Sequence, residues 1–80
     1  MTVTVLLFAS YAESIGSNSI DVNVPSGATV ADVLGSVREL AGASRLPREP
    51  LVAVNERYAA SHDVVCAGDE VAIIPPVAGG

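Results

Sequence analysis

One stretch of this chain carries a helical repeat of apolar residues, and the segments before and after it alternate with a period of two. From Thr29 onward, Val30, Val33, Leu34, Val37, Leu40 and Ala41 fall on one face of a helix. Thr29 and Asp32 have the spacing of a capping pair that starts such a helix, and Gly42 can stop it. A lone helix cannot bury its own apolar stripe. The flanking strands must supply the surface that it covers.

Those strands can be read from their alternation. Val3, Val5 and Leu7 share one face of a first strand, with Thr4, Leu6 and Phe8 on the other, and Ile20 to Val24 forms a second strand with one apolar face. Between them, Ser10 and Glu13 have capping-box spacing and Gly16 can end a turn, which predicts a short helix over Ser10 to Ile15. After the main helix, Leu51 to Asn55 reads as a strand, Asn55-Glu56-Arg57 as a turn into a short strand around Tyr58, and Gly68-Asp69 as a turn before Glu70 to Ile74. The order β, β, α, β, short β, β predicts an α+β fold of the β-grasp kind, a mixed sheet with one main helix packed across one face.

A chain of 80 residues has room for one modest core. We assign residues 1–74 to that domain and residues 75–80 to an extended C-terminal tail. In this arrangement the helix covers Val3, Val5, Leu7, Ile20, Val22, Val24, Val71 and Ile73. Leu6, Phe8, Ala72 and Ile74 are left on the opposite face, where they either form a partner-binding patch or are covered by a neighbouring loop.

Composition removes several function classes. The single cysteine, Cys66, excludes an intramolecular disulfide framework, and no Cys/His spacing suggests a metal site. A formal charge of −5, with four arginines and no lysine, provides no basic stripe for phosphates or anionic lipid, so nucleic acid and membranes are not expected partners. The first residues lack the basic flank and cleavage pattern of a secretory signal, and a soluble cytoplasmic protein is expected.

The final six residues are Pro75-Pro76-Val77-Ala78-Gly79-Gly80, and none has an ionisable or nucleophilic side chain. Their one reactive group is the carboxylate of Gly80. The prolines favour a stiff, extended exit from the sheet, while the glycines can enter a channel too narrow for a β-carbon. At about 3.3 to 3.6 Å per residue the tail projects roughly 20 Å, enough to enter another protein's active site. A Gly-Gly end is by itself compatible with a frayed, functionless terminus. Here it follows a final strand of a small β-grasp domain by only a few residues.

Val52-Ala53-Val54-Asn55, Gly68-Asp69-Glu70-Val71-Ala72 and Pro75-Pro76-Val77-Ala78-Gly79-Gly80, with Val5-Leu6-Leu7-Phe8-Ala9 in register, resemble the molybdopterin synthase small-subunit family of ubiquitin-like β-grasp sulfur carriers. The resemblance covers essentially the whole chain. It implies that an ATP-dependent enzyme similar to ubiquitin-activating enzymes adenylates the Gly80 carboxylate, and that a sulfur donor protein then converts it to a thiocarboxylate. The tail, Pro75 to Gly79, would thread into the large subunit of molybdopterin synthase and deliver sulfur to a cyclic pterin monophosphate, in a 2:2 heterotetramer. On this reading the chain is no enzyme by itself and binds no cofactor alone; ATP belongs to the activating enzyme. Two departures stand out: Ala12 precedes Glu13 where relatives often carry arginine, and Ile74 stands where phenylalanine is common.

Related readings are a carrier for thiamine or another sulfur-containing product, a ubiquitin-like protein modifier, and a binding module that never uses its tail. The Pro-Pro-Val context favours the molybdopterin reading over the thiamine one. Absence of lysine precludes side-chain-linked chains between copies but not modification of other proteins. Cys66 has no basic neighbour in sequence to activate its thiol, and His62 beside Asp63 reads as a solvated loop residue. Asp69 and Glu70 form an acidic pair that could meet a partner's arginines, but Gly68-Asp69 is a turn signal first.

Overall fold

The computed structural model describes residues 1–40 and 42–75. Along the chain run β1 (Thr2–Leu7), α1 (Ala9–Ile15), β2 (Ser19–Asn23), α2 (Val30–Arg38), a 3-10 turn at Ala43–Arg45, β3 (Leu51–Val54), β4 (Arg57–Ala59) and β5 (Glu70–Ile74). The strands form one sheet in the order β2-β1-β5-β3-β4. β1 and β5 pair in parallel at its centre, whereas β1–β2, β3–β5 and β3–β4 are antiparallel, so the sheet is mixed. Parallel neighbours need a long crossover, and the chain between β1 and β5 contains α2.

Alternation along the strands decides which face meets the helix. Val3, Val5, Leu7, Val71 and Ile73 point inward and join Val30, Val33, Leu34 and Val37 of α2 in one buried cluster. Each such side chain contributes roughly 1.5–3 kcal/mol by leaving water. Val24 is buried as expected, while Ile20 and Val22 are only partly covered because β2 is an edge strand. At the start of α2 the capping box is complete: Asp32 N–H donates to Thr29 Oγ1 at 3.4 Å and Thr29 N–H donates to Asp32 Oδ2 at 2.9 Å.

The end of that helix differs from the sequence reading. α2 stops at Arg38, Leu40 is 38% exposed, and Ala41 lies outside the described residues. The Arg38 guanidinium donates to the carbonyls of Leu46 (3.4 Å), Pro47 (2.6 Å) and Arg48 (2.7 Å), drawing the following loop back to the helix end. Glu39 and Leu40 N–H groups bond to Ser36 and Val37 carbonyls three residues back, the tighter spacing of a 3-10 turn. Gly42 therefore does not stop α2 but opens the Ala43–Arg45 turn, with φ of +87°. A β-carbon there would overlap the Ser14 carbonyl, and the Ser14 hydroxyl donates to the Gly42 carbonyl.

The first helix is also set differently. α1 begins at Ala9, so Ser10 lies inside it and no side chain caps it; the Phe8 carbonyl instead accepts from Tyr11 (3.0 Å) and Ala12 (3.3 Å). Burial of Tyr11 holds α1 to the core, and Gly16 in the left-handed conformation ends it as expected. Among the described residues no helix is long and apolar enough to cross a membrane.

Candidate functional site

The outer face of the sheet divides into rows set by strand register. Asp21, Thr4 and Glu70 stand side by side across β2, β1 and β5. One step further along β1 and β5, Leu6 stands beside Ala72, Ala72 beside Ala53, and Ala53 beside Tyr58. The next row pairs Ile74 with Leu51. Polar residues thus occupy the β2 side, where Thr2 donates to Asn23 at 3.0 Å and Thr4 to Asp21 at 3.1 Å. Apolar residues occupy the end of the sheet where β5 stops.

Leu6, Phe8, Ala72 and Ile74 line one groove at that end, together with Pro75. The four residues expected on this face are therefore brought together, and among the described residues no loop seals them in: Phe8 is 45% exposed and the others are half-buried. The β3–β4 hairpin supplies the opposite wall through Ala53, Glu56 and Tyr58, the last 75% exposed. These three were missed from the sequence, although a signal was present. A two-residue turn at Asn55-Glu56 sets Ala53 opposite Tyr58 and puts both side chains on the outer face.

That turn is unusual in composition. Asn55 and Glu56 have φ of +50° and +71°, the doubly left-handed geometry of a type I′ hairpin, for which the second position normally takes glycine. Side-chain bonds hold it. Asn55 Nδ2 donates to Asp69 Oδ1 at 3.0 Å, and Glu70 N–H donates to Asn55 Oδ1 at 3.0 Å. Asp69 Oδ2 accepts from Cys66 N–H at 2.7 Å within the turn that Gly68 allows at φ of +82°. The Cys66 N–H and then the Asn55 amide hold the Asp69 carboxyl below its ordinary range, outweighing a small opposing effect of burial. Asp69 is thus a turn residue, as expected, and also a bridge to Asn55, whereas Glu70 is exposed on the groove rim with Glu56.

The remaining ionisable candidates stand apart from this groove. Cys66 is exposed, and His62 lies 3.8 Å from Asp63 with both side chains largely in solvent. Among the described residues no three His, Cys, Asp or Glu side chains come together as a metal site. The tail residues Pro76, Val77, Ala78, Gly79 and Gly80 lie outside the described residues.

The ThiS family model matches residues 5–80. Over 79 residues the chain is 34% identical to the molybdopterin synthase sulfur carrier subunit of Arabidopsis thaliana, spanning 98% of this chain and 82% of that protein. The crystal structure of SAMP1 from Haloferax volcanii superposes with a TM-score of 0.88 at 36% identity, covering both chains completely. The structure of the Amycolatopsis orientalis BexX/CysO complex matches with a TM-score of 0.70 at 28% identity, over 98% of this chain and 99% of that one. With the family match running through nearly all of its length and its sheet and helix in the same arrangement, the chain belongs to the ThiS family and has the ubiquitin-like β-grasp fold.

Proposed function

We propose that this chain is a sulfur carrier in molybdenum cofactor biosynthesis, acting as the small, non-enzymatic subunit of a molybdopterin synthase in the cytoplasm. The observation that carries the reading is the open apolar groove beside the end of β5, the strand that leads directly into the Gly-Gly tail. A partner seated on that groove has the tail within reach of its own active site. Likeness to the Arabidopsis thaliana sulfur carrier subunit over almost the whole chain supports the same assignment.

The chemistry follows from what a carboxylate lacks. A free Gly80 carboxylate is too poor an electrophile to accept sulfur, so an ATP-dependent activating enzyme joins it to adenylate with release of pyrophosphate. The outer sulfur of a persulfide on a donor protein then attacks the acyl carbon and displaces AMP, and a thiol cleaves the resulting acyl disulfide, releasing the thiocarboxylate and leaving a disulfide on the donor side. The large subunit, in a 2:2 assembly, receives the threaded tail and uses this sulfur as a nucleophile on a cyclic pterin monophosphate. Catalysis on the pterin belongs to that partner, and this chain contributes a positioned nucleophile. Deleting Gly80 withdraws the reactive carbon by about 3.5 Å, beyond the tolerance of aligned reacting groups.

A second reading has its own support. The chain is 36% identical to small archaeal modifier protein 1 of Haloferax volcanii, over 92% of this chain and 95% of that protein, so attachment of Gly80 to lysines of other proteins shares the same activated carboxylate. Intact-mass analysis of protein from its native cell separates the two. Exchange of one terminal oxygen for sulfur is the expected result for the carrier. Recovery of only unmodified chain, or of lysine conjugates, would count against it.

A further inference from the structure

The docking groove is built from two parts of one sheet, joined by the β3–β5 ladder that runs from Leu51 opposite Ile74 to Val54 opposite Val71. β1 and β5 supply its floor through Leu6, Ala72 and Ile74; the β3–β4 hairpin supplies its wall through Glu56 and Tyr58. β4 is a three-residue edge strand, and Tyr58 has little packing to hold it. Apolar burial therefore leaves the rim of the wall at Glu56 and Tyr58 weakly fixed. Past the end of that ladder the turn is tied to β5 by Asn55, whose backbone N–H donates to the Glu70 carbonyl at 2.8 Å while both ends of its side-chain amide bridge to Asp69 and Glu70. Its partner Asp69 is itself held by the Cys66 N–H.

We infer that Asn55, anchored by Asp69, is a positioning residue for docking: it locks the turn of the hairpin, and with it the rim at Glu56 and Tyr58, to β5 so that this end of the groove is formed before the partner arrives. The inference rests on the reading of this groove as the large-subunit docking face. Its physical basis is preorganisation. A turn released from β5 must be ordered as the partner binds, at a cost of side-chain and turn entropy that the clamped form has already met on folding. The left-handed conformation of Glu56 points the same way, since such a turn persists only where its surroundings hold it.

The test separates the side-chain bridge from the turn conformation. Asn55→Gly keeps a residue that tolerates φ of +50° but removes both amide bonds, and Asp69→Ala removes the anchor from the other end. Each purified full chain is confirmed as folded by its amide NMR spectrum, and its affinity for the purified large subunit is measured by calorimetry, with Ile74→Asp as the control for the groove. Each single variant is expected to weaken binding roughly five- to tenfold. The double variant should lose little more than the larger single loss, because the two residues form one unit. Tyr58 resonances should broaden or average in Asn55→Gly while those of the inner core hold. Unchanged affinity of folded Asn55→Gly, with Ile74→Asp still impaired, would reduce the bridge to a stability role and overturn the inference alone. Unchanged affinity of Ile74→Asp would remove the groove as the docking face, and the positioning role with it. Should Asp69→Ala fail to fold, the Asn55→Gly affinity and spectrum decide the matter.

Discussion

The two faces of the central strands are made of similar residues but meet opposite surroundings. Inward, Val3, Val5, Leu7, Val71 and Ile73 are sealed beneath α2; outward, Leu6, Phe8, Ala72 and Ile74 keep contact with solvent. Adjacent residues Ile73 and Ile74 show the contrast most sharply, since one is fully buried and the other lines the groove. Apolar side chains of the inner face are needed for folding. Those of the outer face add little to stability in the isolated chain, which leaves their burial available to a partner.

The sharpest way to break this comparison is to shorten Ile73. Ile73→Ala should cost about 3 kcal/mol in denaturant unfolding, because a void opens in a packed core, while the affinity of the folded molecules for the large subunit stays the same. If Ile73→Ala were tolerated as easily as a surface change, the two faces would not differ as described. The converse experiment introduces charge on the outer face. Phe8→Asp should leave the unfolding midpoint nearly unchanged and weaken large-subunit binding by about 2 kcal/mol, since a carboxylate would be desolvated in an apolar contact. Unfolding of that variant with no change in the binding of its folded fraction would assign Phe8 to the core.

Smaller effects sharpen the picture at the groove rim. Asp69 has a folded-state pKa below its ordinary value near 3.8, so the unfolded chain binds its proton more readily than the folded one. Its contribution to stability is therefore present above that ordinary value and is lost as pH falls through the lower folded value. Because the carboxylate is solvent-screened, Asp69→Asn should lower stability at neutral pH by about 1 kcal/mol or less, and the difference from the parent should shrink in acid. Parallel denaturation curves at neutral pH and below pH of about 3 check both the size and the sign. The smallest expected change is a gain. Glu56→Gly relieves a left-handed side-chain position at φ of +71° but increases the freedom of the unfolded chain, for a net stabilisation of about 0.5 kcal/mol by thermal unfolding.

How far the sequence could be read depended on the range of the interaction involved. Thr29 and Asp32 announce the start of α2 because their reciprocal bonds span one helical turn. The inner and outer faces of β1 and β5 follow from a period of two, which explains why the groove floor is legible in the sequence. Ser10 and Glu13 show where such reading fails. Their spacing fits a capping box, yet α1 starts at Ala9 because the Phe8 carbonyl takes the first bonds and Tyr11 is drawn into the core. Leu40 fails for a related reason, since the loop held by Arg38 turns the chain away before the apolar stripe is complete.

By itself the sequence determined the type and order of the strands and the main helix, and the side of the sheet on which each apolar residue falls. Local backbone geometry is enough for these, because alternation, capping and turn chemistry act within a few residues. Only the tertiary structure decided that the β3–β4 hairpin forms the groove's second wall, that Asn55 ties it to Asp69 across 14 positions of chain, and that Gly42 must be glycine to pass the Ser14 carbonyl 28 positions away. Those contacts join segments whose spacing along the chain carries no periodic signal. They exist only once burial of the inner face has brought the segments together.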